Sequence, residues 1–194
     1  YEHQEEEDFI ELKYQLECLN DLVKQGKIRY VGLSNETPWG LMKFLNLAEK
    51  YNLPRVVSVQ NPYSLLNRSY EVGMAEISVR ENCGLLAYSP LAFGMLTGKY
   101  DDGKKPKKAR LTIYESIYTR YTKSKGIESA KKFNQLAIHN DLTPTQMALA
   151  YVNSRPFLTS NIIGATTIDQ LKENIQSIEI NLNEEVVEKI ETIH

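Results

Sequence analysis

The stretch KIRYVGLSNETPWGLMKFLNLAEKY (27–51) decides the fold. Its opening, KIRYVGLSN (27–35), reads as a short buried strand with Gly32 near its end. Thr37 can then cap a helix, Pro38 suits the first helical position, and Leu41, Phe44, Leu45 and Ala48 make its packing stripe. The unit recurs. PRVVSVQNPYS (54–64) predicts a second strand followed by a helix over 68–82, and CGLLAYSP (83–90) a third strand. The strand ends near Ser34, Gln60 and Tyr88 lie 26 and 28 positions apart, the length of a strand, a crossover helix and two turns. All three strands are apolar through their middles, as in a parallel sheet covered on its outer face. Strands alternating with helices predict an α/β fold.

On either side of these units the chain supplies more of the same. Phe9, Leu12, Leu16, Leu19 and Val23 outline an amphipathic helix over 5–25, closed by Gly26. After a long loop, 91–122, come helices over about 126–140 and 144–154, the second with Thr143 and Gln146 as a capping box around Pro144. SNIIGA (160–165) predicts a fourth strand. Thr167 and Gln170 can form another capping box on the next helix, and Asn183 caps the last one. Four strands and at least six helices result, where a closed (β/α)8 barrel has eight strands over about 250 residues. Half a barrel is the expectation, and the start of the chain, without Met or a convincing first element, points to a fragment.

Composition bounds the function. The chain has 194 residues, 42% hydrophobic and 25% charged, which fits one globular domain with a sizeable core. A net charge of −2 gives no global field for capturing nucleic acid. Cys18 and Cys83 lie far apart and in no metal spacing, so reduced thiols in a cytoplasmic protein are expected. No apolar run approaches the roughly 20 residues of a membrane span, and the acidic start YEHQEEEDFI is unlike a signal or transit peptide. The run Glu5 to Asp8 reads as a solvated first helical turn.

Several chemistries can be set aside. GLSNE (32–36) approaches the G-x-S-x-G nucleophile elbow but ends in Glu36, and His3, His139 and His194 offer no obvious triad partner. GMLTGK (94–99) resembles a P-loop but has three residues between its glycines instead of four, and Tyr100 stands where Ser or Thr must reach the metal. No G-x-G-x-x-G follows a strand. What survives is positional. Ligands of barrels and doubly wound sheets sit at the carboxyl ends of strands, which here carry Ser34 and Asn35, Gln60 and Asn61, Tyr88 and Ser89, and Thr166 and Thr167. Each alone is also a common turn or cap residue; their coincidence at four ends is the signal.

Each group suits a dinucleotide. Asn35 and Gln60 can pair with a carboxamide, and Tyr88 offers a face for an aromatic ring. Ser89, Leu91 and Ala92 let backbone N–H groups approach a pyrophosphate, and Lys99 and Arg110 supply cations. Lys104, Lys105, Lys107 and Lys108 read equally as a solvated loop. The helix after GATTIDQ can offer N–H groups to another phosphate. Gln170, Glu173 and Asn174, on one face of its first turns, can line an adenosine pocket, although they would need no explanation as helix-surface residues.

GKIRYVGLSN, VQNPYSLLNR, LLAYSPLAFGMLTGKY and IIGATTIDQLKENI together resemble the C-terminal half of the aldo-keto reductase superfamily, in the branch of potassium-channel β subunits and related bacterial oxidoreductases. The resemblance implies a TIM-type barrel, of which residues 1–194 are one cofactor-binding half-barrel domain, and NADPH-dependent reduction of aldehydes or ketones by hydride transfer. It implies that Ser34, Asn35 and Gln60 hold the nicotinamide carboxamide with Tyr88 stacked on the ring. Ser89, Leu91, Ala92, Lys99 and Arg110 would surround the pyrophosphate. Gly164, Thr166, Gln170, Glu173 and Asn174 would bind the adenosine 2′-phosphate and adenine. The family's catalytic Asp, Tyr, Lys and His belong to strands upstream of residue 1, and neither His3 nor any of the 12 tyrosines matches them, so no catalytic residue is assigned and the chain alone is expected to be inactive. The alternative is a nucleotide-sensing or partner-regulating subunit of the same fold. A half barrel exposes two strand edges, so self-association through them is a further expectation.

Overall fold

A computed structural model describes residues 10–194. Helix α1 (Leu12–Lys24) ends at Gln25, and Gly26 at φ 69° turns the chain toward strand β1 (Val31–Ser34). The part of the expected first helix before Ile10, with Phe9, the acidic run and His3, lies outside the described residues. Helix α2 (Pro38–Tyr51) begins as its sequence dictates: Thr37 Oγ1 accepts from the Gly40 N–H at 3.1 Å and Pro38 opens the first turn. Its stripe of Leu41, Phe44, Leu45 and Ala48 is buried, each large member contributing about 1.5–3 kcal/mol of transfer free energy.

Strand β2 (Val56–Pro62) pairs with β1, and strand β3 (Gly84–Tyr88) pairs with β2. The segment between them is not one helix over 68–82. A 3-10 turn at Ser69–Glu71 is separated from helix α3 (Met74–Arg80) by Gly73 at φ 92°. That conformation favours glycine, and a Cβ there would stand 3.3 Å from the Pro38 ring. Tertiary packing against the start of α2 thus overrides the local helical pattern.

The loop after β3 contains 3-10 turns at Ala92–Thr97 and Asp101–Gly103 and the single turn α4 (Arg110–Ile113). Helices α5 (Ser124–Ile138) and α6 (Pro144–Asn153) follow, the second opened by the complete Thr143/Gln146 capping box. Seven residues of α6 are buried, because it is packed at once by α5, by the strand over 158–161 and by the helix over 168–176. Strand β4 (Leu158–Asn161) starts two residues before the expected SNIIGA strand and stops well short of its end. Its ladder is fixed by β3, with Leu85 opposite Leu158 and Ala87 opposite Asn161, and only Ile162 N still reaches Ala87 O, at 2.8 Å. Helix α7 (Ile168–Gln176), a 3-10 turn and helix α8 (Glu184–Ile193), capped by Asn183, complete the chain.

The four strands form one parallel sheet in chain order, β1-β2-β3-β4. One face is buried, carrying Val31, Val59, Leu85 and Ala87, while Gly32, Ser34 and Gln60 on the other are exposed. This is the α/β arrangement expected of part of a barrel wall. The register Ser34 to Gln60 and Pro62 to Tyr88 brings the carboxyl ends of the first three strands to one rim.

Candidate functional site at the carboxyl rim

Each strand end carries hydrogen-bonding groups that the turn beyond it holds in place. Past β1 the backbone turns left-handed at Asn35, φ 54°, a conformation Asn tolerates better than most residues. Its N–H donates to Gln60 O at 3.0 Å. Asn61, largely buried, clamps the next residue: its Oδ1 accepts from Glu36 N at 3.0 Å and its Nδ2 donates to Glu36 O at 2.9 Å. Tyr88 Oη then donates to Asn35 Oδ1 at 2.6 Å, Asn35 Nδ2 to Ser34 Oγ at 3.2 Å, and Ser34 Oγ to Gln60 O at 3.2 Å. Ser34, Asn35, Gln60 and Tyr88 are therefore one connected group.

The loop beyond Tyr88 contains a run of left-handed backbone. Ser89, Ala92 and Phe93 have φ of 56°, 47° and 60°, and Gly94 has 97°. Such non-glycine strain costs of order 1–3 kcal/mol per residue and persists only where the surroundings hold it. Here Ala92 N bonds Ser89 O and Gly94 N bonds Leu91 O, at 2.9 and 2.8 Å, while Ala92 and Leu96 are buried. Asn134 of α5, itself buried, anchors the far side through Met95 O at 3.1 Å and the Asp101 carboxylate at 2.9 Å.

This scaffold brings two cations together. Lys99 folds back over Gly94, where a Cβ would stand 2.8 Å from the lysine Cε. Burial, and then the charge of Arg110, hold the Lys99 ammonium below the ordinary lysine pKa. The Arg110 guanidinium lies 5.5 Å from the Tyr118 ring centre. Among the described residues neither has a carboxylate within salt-bridge distance, whereas Lys105 pairs with Glu115 and Lys131 with Asp102. A third cation, Arg120, stands beside Tyr88: the phenol oxygens of Tyr88 and then Tyr121 raise its pKa. The sequence gives no motif around Arg120, and only the folding of the loop places it there.

The last predicted group assembles locally at α7. Thr167 Oγ1 accepts from Gln170 N at 3.2 Å, but the reciprocal half of the expected capping box is absent. Gln170 Oε1 accepts instead from Thr166 N at 2.9 Å and Thr166 Oγ1 at 3.1 Å, because Thr166 offers two donors and Thr167 N only one. Asn174, buried, donates to Gly164 O at 3.2 Å, and Glu173 accepts from Thr143 Oγ1 at 2.5 Å. Gly164, Thr166, Gln170 and Asn174 thus shape one loop, while Glu173 is tied to the start of α6.

Other chemistries gain nothing from the geometry. Cys18 and Cys83 are unpaired, and burial pushes the Cys83 thiol up to about 11. Among the described residues no group of three or more His, Cys, Asp or Glu side chains is placed to hold a metal, and no helix is long and apolar enough to cross a membrane.

Protein tas of Escherichia coli is 51% identical over 179 residues, covering 92% of this chain and 51% of that protein. A putative voltage-gated potassium channel subunit beta of Schizosaccharomyces pombe is 30% identical over 91% of this chain and 53% of its own length. The L-glyceraldehyde 3-phosphate reductase of Escherichia coli is 30% identical over 83% of this chain and 47% of its own length. The chain spans about half the length of these curated relatives. The profile of the aldo/keto reductase family matches residues 3–194, and with nearly every residue under that profile the chain belongs to this family.

Proposed function

We propose that this chain is the NADP(H)-binding side of an oxidoreductase that reduces an aldehyde or ketone to the alcohol. The observation that carries the reading is the pair Lys99 and Arg110: two cations, one partly buried, held together at the strand-end rim with no carboxylate partner among the described residues. Such an arrangement is costly unless an anion shares it. The left-handed backbone at Ser89, Ala92, Phe93 and Gly94 curls the same loop tightly, a shape suited to close approach of phosphate oxygens. The Ser34 hydroxyl and Asn35 amide, joined at the Gln60 backbone carbonyl, suit a carboxamide together with the Gln60 side chain, and Tyr88 offers the stacking face. Gly164, Thr166, Gln170, Glu173 and Asn174 take the adenosine end.

The donor set fits the cofactor, and the cofactor when bound would supply the hydride. This chain's own residues bind and orient it: cations and backbone amides fix the phosphates, and the strand ends fix the ring. The proton donor is not assigned to this chain, so a preparation of it alone is expected to show no aldehyde-dependent NADPH oxidation; turnover at an ordinary reductase rate contradicts this. Titration with NADPH, followed by its fluorescence, should show saturable binding weakened at least tenfold by Arg110→Ala. Binding unchanged in that variant rules out the anion assignment.

A further inference from the structure

The strand-end hydrogen bonds form one directed chain, from Tyr88 through Asn35 and Ser34 to Gln60. Tyr88 ends β3 and Asn35 follows β1, with β2 between them. Neighbouring strands lie about 4.8 Å apart, so the phenol crosses roughly 10 Å, over the end of β2, to reach the amide. Its 2.6 Å bond is the shortest of the three, the other two being 3.2 Å.

We propose that the Tyr88 hydroxyl is a positioning group that fixes which way the Asn35 amide faces, so that Asn35 meets a nicotinamide carboxamide as a hydrogen-bond donor. This rests on the dinucleotide reading above. An unconstrained Asn side chain presents either its oxygen or its N–H2 after a half turn. Here Oδ1 is committed to the Tyr88 hydroxyl, and one Nδ2 hydrogen to Ser34 Oγ, leaving the second hydrogen as the open group. The backbone beneath is equally fixed, by Asn35 N to Gln60 O at 3.0 Å and by the Asn61 clamp on Glu36. Arg120 supports the direction of the chain: a guanidinium beside the phenol oxygen favours its acceptor side and leaves the proton for Asn35. Tyr88 then does two things at one rim. Its ring is the stacking face, and its hydroxyl sets the polarity of the amide beside that face.

Tyr88→Phe separates the two, because it keeps the ring and removes only the hydroxyl of a half-buried residue. In 1H–15N spectra of the nucleotide-free chain, the Asn35 side-chain amide pair should shift toward free-amide positions and exchange faster with water, with the backbone signals of β1 to β3 in place. An unmoved Asn35 amide pair overturns the proposal. Titrated with NADPH, the variant should bind about five- to tenfold more weakly than wild type, the loss of roughly one net hydrogen bond. A shifted amide with unchanged affinity refutes the positioning role. Wild-type chain that does not bind NADPH at all overturns the dinucleotide reading and this role with it, while the amide spectra still report whether the hydrogen bond exists.

Discussion

Replacing Arg68 by Met is expected to weaken the fold by about 2–3 kcal/mol. Arg68 follows β2, and its side chain, 10% exposed, makes three charged contacts: Nε and Nη2 to the Glu71 carboxylate at 2.8 and 2.7 Å, and Nη1 to Glu191 of α8 at 2.7 Å. Tyr63 donates to the same Glu71 carboxylate at 2.5 Å. Removing one partner of a fully buried pair costs roughly 3–5 kcal/mol, because the other charge stays behind. The figure is discounted here because Glu71 and Glu191 are 28% and 47% exposed and recover some hydration. With an m-value of about 2 kcal/mol per molar urea, the midpoint should fall by about 1–1.5 M at constant m. Arg80→Met is the matched control: its pair with Glu76 has the same 2.7 Å separation but is 74% and 66% exposed, and about 0.5 kcal/mol or less is expected. The pH dependence has a definite sign. Burial alone raises the Glu71 pKa, but the bonds from Arg68 and Tyr63 outweigh it and hold the carboxyl below its ordinary value. A depressed folded-state pKa stabilises above the unfolded value, near 4.3, and that stability is lost as pH falls through the folded value. The gap between wild type and Arg68→Met should therefore narrow in acid. A midpoint shift under about 0.3 M near neutral pH, or a gap that widens in acid, refutes the argument.

Gly73→Ala should cost about 1–2 kcal/mol, read as a lower urea midpoint, because φ 92° and the Pro38 ring at 3.3 Å both oppose a Cβ; an unchanged midpoint means the break before α3 is not imposed by packing. Asn134→Leu removes the anchors to Met95 O and Asp101, at 3.1 and 2.9 Å, and should cost about 1–3 kcal/mol while speeding amide exchange across residues 94–101; exchange confined to wild-type rates says the loop is held elsewhere. The lowered Lys99 pKa gives NADPH binding a sign: the ammonium is charged below that pKa, so affinity should fall as pH rises through it, and Lys99→Met should flatten the profile. Affinity that rises with pH in wild type excludes Lys99 as a phosphate contact.

What the sequence made legible was local chemistry that the tertiary structure left alone. Thr37 with Pro38, Thr143 with Pro144 and Gln146, and Asn183 all cap the helices they announce, since a cap needs only residues within one turn. The strand-end spacing worked for a related reason, because the crossover length fixes where a parallel strand can end. The failures lie where a distant partner decides. The span of β4 is set by the reach of β3, the break at Gly73 by a proline thirty-five positions upstream, and the Gln170 amide by a second threonine that competes for it. Arg120 had no signal at all, since a lone arginine in a tyrosine-rich loop reads as solvated until the loop is folded beside Tyr88.

The tyrosines sharpen the division of labour proposed for this chain. A phenol that gives up a proton near neutral pH needs neighbouring cations or hydrogen-bond donors that stabilise the phenolate. At three buried tyrosines of this fold burial outweighs any such help. Tyr63 is buried and donates to the Glu71 carboxylate, which raises its pKa; burial also raises Tyr70, and pushes Tyr151 up to about 12 despite Arg155 and Arg68 beside it. These groups hold their protons, and they stand among helices and loops that brace the sheet. The groups gathered at the carboxyl rim are cations, amides and a hydrogen-bonded phenol, which can bind anions, orient a carboxamide and stack a ring. Such a rim suits the cofactor-binding role proposed for this chain, in which the proton donor is assigned to none of these residues.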